Sequence, residues 1–202
     1  MIRILTTATL LLLTGVIFGQ KYRFTPEFSF GLVAAQVDGD AIGGYDKPGL
    51  AISYGVNKLL DRKWNFNFAL QFAQKGSLKR PNTQQGDYTK YGINTMYIES
   101  PFRIEYLAKP LSIFIGSSIG GLIYAREYDQ NGTIDGNPEF NRIELAGFMG
   151  IKYFFNRKLF VELSAGNSLL PIRNFRDGPS WFRNNGQYNR WLLSKIGFNI
   201  RR

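Results

Sequence analysis

The sequence predicts an all-β fold, a closed eight-stranded antiparallel up-and-down transmembrane β-barrel. Three observations carry this: period-two alternation of apolar and polar residues, connections that alternate between short and long, and ionisable residues gathered on one face. The alternation is clearest in residues 64–74, WNFNFALQFAQ. Trp64, Phe66, Phe68, Leu70 and Phe72 are large and apolar, while Asn65, Asn67, Ala69, Gln71 and Ala73 are small or polar. Only a strand puts successive side chains on opposite faces. No internal run reaches the roughly 18 apolar residues of a membrane helix.

Along the chain, the first extended segment is 26–36, with Phe28, Phe30, Leu32 and Ala34 on one face. The second, 47–57, sets Leu50, Ile52, Tyr54 and Val56 against Ala51, Ser53, Gly55 and Asn57. The third is 64–74, and the rest are 91–106, 111–126, 142–155, 159–169 and 188–201. A tilted strand needs about 9–11 residues to cross the hydrocarbon layer, and each segment reaches that length. The connections 59–63, 108–110 and 156–158 are short. Those at 37–46, 76–90, 127–141 and 171–187 are long and rich in Gly, Asn, Asp and Pro, which favour turns. Outer-membrane barrels have short periplasmic turns and long external loops.

A soluble barrel of lipocalin type also alternates, so the polar face must separate the two. By parity, Glu99, Arg103 and Glu105 share a face of the fourth segment, and Glu144 and Lys152 a face of the sixth. Glu162 lies on the seventh; Lys195, Asn199 and Arg201 lie on the eighth. Facing lipid, such groups would cost several kcal/mol each near the midplane. Inside an eight-stranded barrel, just wide enough for side chains to fill, they neutralise one another. The expected interior is therefore a polar plug of Lys75, Glu99, Arg103, Glu105, Glu144, Lys152, Glu162 and Lys195. A proton or ion path is the sharper reading of the same residues. Arg103 is the nearest candidate partner for Glu99, with Lys75 on the neighbouring strand another. Pro101 lacks an N–H and marks a bulge or local break.

Composition narrows the function. The 202 residues contain no cysteine and no histidine. That removes disulfides, thiol nucleophiles, the usual general base and the commonest transition-metal ligand. No cofactor, metal site or catalytic residue is expected. Residues 1–20 read as a secretory signal peptide, with Arg3, an apolar stretch at 10–18 and small Gly19 before Gln20. Residues 21–202 form the barrel domain. The formal charge of +10 then points away from nucleic acid and toward lipopolysaccharide or another acidic envelope partner.

Two loops invite chemistry. Residues 129–135, DQNGTID, place oxygen ligands loosely like a calcium loop, but the twelfth position from Asp129 is Phe140 and not Glu, so a turn is the better reading. The last long loop carries Arg173, Phe175, Arg176, Trp181, Phe182 and Arg183. Arg173, Arg176, Trp181 and Arg183 are candidates for contact with lipopolysaccharide or an external partner, either as an aromatic girdle or as a headgroup or protein site.

Several motifs occur in a familiar order: QVDGD at 36–40, GYDKPGL at 44–50, QKGS at 74–77 and YIESP at 97–101. The chain resembles the PorT-like outer-membrane β-barrel family of gram-negative bacteria, an outer membrane protein beta-barrel domain. The resemblance implies an eight-stranded barrel in the outer membrane, in some members serving type IX secretion or gliding, and it brings no catalytic residues. One departure is the end, GFNIRR at 197–202, with Phe198 inside the strand and two arginines last. The expected role is a structural or interaction component that contacts outer-membrane lipid and envelope proteins. The alternatives are a small-solute porin and a histidine-free lipid-active enzyme. Replacing Glu99→Leu should lower thermal stability and leave membrane targeting intact; unchanged melting would count against Glu99 as a buried, paired acid.

Overall fold

A computed structural model describes residues 24–135, 138–174 and 186–200. The leader expected at 1–20, Arg201 and the loop residues Arg176, Trp181 and Arg183 lie outside the described residues. The strands are β1 (Phe24–Asp38), β2 (Lys47–Leu59), β3 (Trp64–Lys79), β4 (Tyr91–Ala108), β5 (Leu111–Asp129), β6 (Gly132–Thr133), β7 (Ile143–Phe154), β8 (Leu159–Ser168) and β9 (Tyr188–Asn199). Eight of them close an antiparallel ring in the order β1-β2-β3-β4-β5-β7-β8-β9, and β9 returns to β1 through pairs such as Phe30–Ile196. Strand β6 only folds back on the end of β5.

The eight expected segments are the eight staves. Their cores match; β1, β3 and β5 run further at the long-loop end, β2 and β4 run further at the short-turn end, and β7, β8 and β9 stop a residue or two short. Strand β3 continues past residue 74 because Gly76 takes φ +129 and bends the strand there. Lys75, Gly76 and Ser77 are then buried in succession, so the alternation that marks the stave stops before the stave does. A Cβ at Gly76 would lie 1.9 Å from the Ile93 carbonyl oxygen, so no other residue fits.

The ladder break expected near Pro101 falls on one side only. The β3–β4 pairing steps from Phe68–Phe102 to Gln71–Glu99, skipping Ser100 and Pro101, while Pro101 still faces Ser118 on β5. The β4–β5 register shifts elsewhere, between Met96 and Tyr97, where β5 carries one extra residue, Ile123. A bulge of this kind re-aims the strand beyond it.

Burial decides which face looks inward. Leu70 is 58% exposed on the outer wall, and Phe68, Ile52 and Ile115 are exposed on it too, whereas Lys75 is 1% exposed within. The lumen is not wholly polar, however. Val33, Ala35, Ala51, Ala146, Trp191 and Leu193 form an apolar layer with Phe148 packed on it. The expected plug is thus interrupted in the middle, where small Ala residues leave room for the Trp191 indole. Long lumen side chains also sit opposite glycines. Gly116 faces Arg103 and Gly31 faces Lys195, and a Cβ at either would lie 2.7 Å from a carbon of that neighbour.

Candidate functional site

Two charge networks occupy the lumen, one on each side of the Trp191 layer. Toward the short turns, Arg103 from β4 reaches three acids. Its Nη1 is 2.7 Å from Glu162 Oε2, its Nε 2.7 Å from Glu105 Oε1 and its Nη2 3.3 Å from Glu27 Oε1. Lys152 Nζ lies 2.9 Å from Glu27 Oε2 and 3.1 Å from Glu105 Oε1, and Lys195 Nζ is 3.0 Å from Glu162 Oε1. Three acids meet three bases, so this network is neutral. Part of it is direct cross-strand pairing, since Lys152, Glu162 and Lys195 stand side by side on β7, β8 and β9. Amides complete it: Asn57 donates to Glu27 at 2.9 Å and Asn65 to Glu105 at 3.0 Å.

On the long-loop side, Lys75 Nζ sits between Glu99 and Glu144, with Glu144 Oε2 at 2.9 Å. Two carboxylates share one ammonium here. Neutral donors supply the rest: Gln71 to Glu99 at 3.0 Å, Ser168 to Glu144 at 2.5 Å and Asn189 to Glu144 at 3.2 Å. Gln71 joins the two networks, because its Oε1 also accepts from Lys195 at 3.3 Å. Each central cation meets an aromatic face as well: Lys75 over Trp191 at 3.8 Å, Lys152 over Phe160 at 4.3 Å and Arg103 over Phe114 at 4.4 Å.

All eight interior residues named from sequence therefore lie in these networks. Their partners differ in one respect. Glu99 pairs with Lys75, not Arg103, because Arg103 is drawn across the lumen to Glu27, Glu105 and Glu162. Glu27 was not among the expected residues, although its parity with Ser29 and Val33 places it inside; the aromatic partners Trp191, Phe160 and Phe114 were also not singled out. A cavity of about 20 Å³ lies between the networks. That is room for roughly one water molecule.

The long-loop mouth is closed by a third cluster. Residues 171–174 fold into it, and Ile172 packs against Val37 and Ile93. Arg173 is 1% exposed. Its Nη1 donates to Glu127 at 2.5 Å and its Nε to Gln187 at 3.1 Å, while its guanidinium stacks 4.4 Å from the Phe140 ring. Arg173 is thus an internal latch and not the outward contact expected of it, because residues 171–174 turn inward. Backbone bonds stitch the same place, Ile172 N–H to Gln187 and Gln187 N–H to Arg173. At the β5–β6 turn, Asp129 Oδ1 accepts from the N–H groups of Asn131 and Gly132 at 2.7 and 3.1 Å, so this carboxylate shapes a turn. The short-turn mouth is an open bowl of about 630 Å³ with Lys109 and Arg157 near its lip and Glu27, Glu105 and Lys152 on its floor.

What the fold and the sealed lumen define is a small transmembrane barrel of the outer-membrane class. The model of the outer membrane protein beta-barrel domain matches residues 18–173, and the chain belongs to that family. Three solved structures are similar to it. Neisserial surface protein A shares 10% identity at a TM-score of 0.49, covering 88% of this chain and 97% of that one. Ail, the attachment invasion locus protein of Yersinia pestis, determined in complex with the heparin analogue sucrose octasulfate, shares 12% at 0.49 over 88% and 99%. OprG of Pseudomonas aeruginosa shares 9% at 0.42 over 89% and 96%. A search among curated proteins gave no match.

Two outcomes follow from the charge geometry. Lys75→Met leaves Glu99 and Glu144 facing each other without a cation and should cost about 3–5 kcal/mol. Glu99→Leu leaves the Lys75–Glu144 pair intact and should cost less; urea unfolding in lipid vesicles ranks the two. Asp40, in the loop after β1, is 4% exposed, and burial pushes its carboxyl from 3.8 up to about 6. Between those values the folded chain holds a proton that the unfolded chain has lost, so stability falls as pH rises through that window. Asp40→Asn should flatten this fall and gain on the order of 1–3 kcal/mol above pH 6, measured by unfolding at stepped pH.

Proposed function

We propose that this protein is a non-conducting, non-enzymatic barrel that acts through its two faces and not through its lumen. The closed interior supports this reading best: two ion networks, the Trp191 layer and the Arg173 latch stand in series along the axis. The lumen carboxylates are buried and already engaged with cations, which supports a structural rather than a catalytic role for them. Buried ion pairs are costly to desolvate and add little stability in themselves. Their value here is to hold strand register, since a one-residue slip would turn each stave's charges toward lipid.

The more specific form, an accessory of type IX secretion or gliding, rests on the resemblance of the motifs at 36–50, 74–77 and 97–101 to PorT-like barrels. Envelope proteins and lipopolysaccharide are the partners this role calls for at the external loops, and export through a cleaved leader fits residues 1–20. Affinity capture from native outer membranes tests the partner. In planar bilayers the protein should give no stable current steps; reproducible steps would establish the porin reading instead.

A further inference from the structure

The surplus of positive charge is unevenly placed. The three short turns carry Arg62, Lys63, Lys109, Arg157 and Lys158 against a single acid, Asp61. At the long-loop end the bases are nearly matched by Asp38, Asp40, Asp46, Asp87, Glu127, Asp129 and others, and in the lumen the charges nearly cancel. Among the described residues the basic surplus therefore sits mainly at the short-turn end, which faces the periplasm in a barrel of this class. This departs from the expectation that it serves lipopolysaccharide on the other side.

The placement of these cations is specific. All five are exposed, and none forms an ion pair among the described residues. Arg62 and Lys63 immediately precede Trp64, which points into lipid and packs edge-on against Tyr106 at 5.2 Å. Lys63 Nζ reaches back to 6.0 Å from the Tyr106 ring. Lys158 lies between Phe155 and Leu159, both lipid-facing, and Phe155 packs on Tyr153 at 5.1 Å. Cations one or two residues beyond an aromatic belt stand at headgroup depth, with their stems along the apolar wall.

We infer that Arg62, Lys63 and Lys158 form a binding surface for anionic phospholipid headgroups in the periplasmic leaflet. The competing occupant is a soluble acidic chain seated in the bowl. The geometry favours lipid, because Lys109 and Arg157 line the bowl whereas Arg62, Lys63 and Lys158 do not. This surface would bias the membrane around the barrel toward phosphate-bearing lipids on one side only.

The test uses the full protein in phosphatidylcholine vesicles with and without phosphatidylglycerol, reading the ratio of the two lipids retained after mild detergent extraction. The wild type should enrich phosphatidylglycerol. The R62Q/K63Q/K158Q variant should lose that enrichment by on the order of tenfold or more, at unchanged melting temperature in neutral detergent. The K109Q/R157Q variant and the external-loop variant K79Q/R80Q/K90Q should keep it. No enrichment by the wild type, equal retention by the triple variant, or loss in the external-loop variant overturns the inference. Saturable binding of poly-glutamate that K109Q/R157Q abolishes, with no lipid preference, overturns it in favour of a soluble acidic partner.

Discussion

The structure depends on cancelling charge inside a tube packed almost solid with side chains. Once eight strands close on themselves, every inward position must be filled by a side chain or left as a void. This chain sets nine ionisable side chains in its two lumen networks, and an unpaired ion there would cost more than most of the barrel's net stability. Arg103 meets that demand by geometry. Its planar fork reaches acids on β1, β4 and β8 at once, which a point charge on a flexible stem could not do. The glycines opposite it and opposite Lys195 are part of the same solution, since a Cβ at either would crowd the long side chain across from it.

The two networks are not equivalent. The one near the short turns is balanced, three against three. The one near the long loops has an extra carboxylate that is satisfied by amides and a hydroxyl. Gln71 bridges them in a single orientation, carbonyl toward Lys195 and amide toward Glu99. The apolar layer between them raises the strength of every pair it shields, because it keeps water from both sides. Order in this barrel is therefore stacked, ionic above apolar above ionic, with the Ile172 cluster as a final layer.

Much of the wall was legible in the sequence because its physics is periodic. Trp64 through Phe72 alternate so strictly that one stave defines the inside and outside of all the others. The charges were legible for the same reason: parity alone puts Glu99, Glu105, Glu144, Lys152, Glu162 and Lys195 in the lumen. What parity cannot say is who meets whom across an enclosed space, which depends on stagger between distant strands. Hence Lys75 and not Arg103 beside Glu99. Irregular backbone hid more. Gly76 ended the visible pattern before its strand ended, and Arg173 looked like an exposed loop residue because nothing local to 171–174 signals that the chain dips inward.

The stem beneath the last loop has a practical meaning. Residues 171–174 and 186–187 are tied to each other, to Asn141 and to Glu127, so the chain leaves and re-enters the barrel through a closed neck. Residues on either side of that neck thus share a single anchorage, so a change that loosens Arg173 or Gln187 would free both ends of the stem at once.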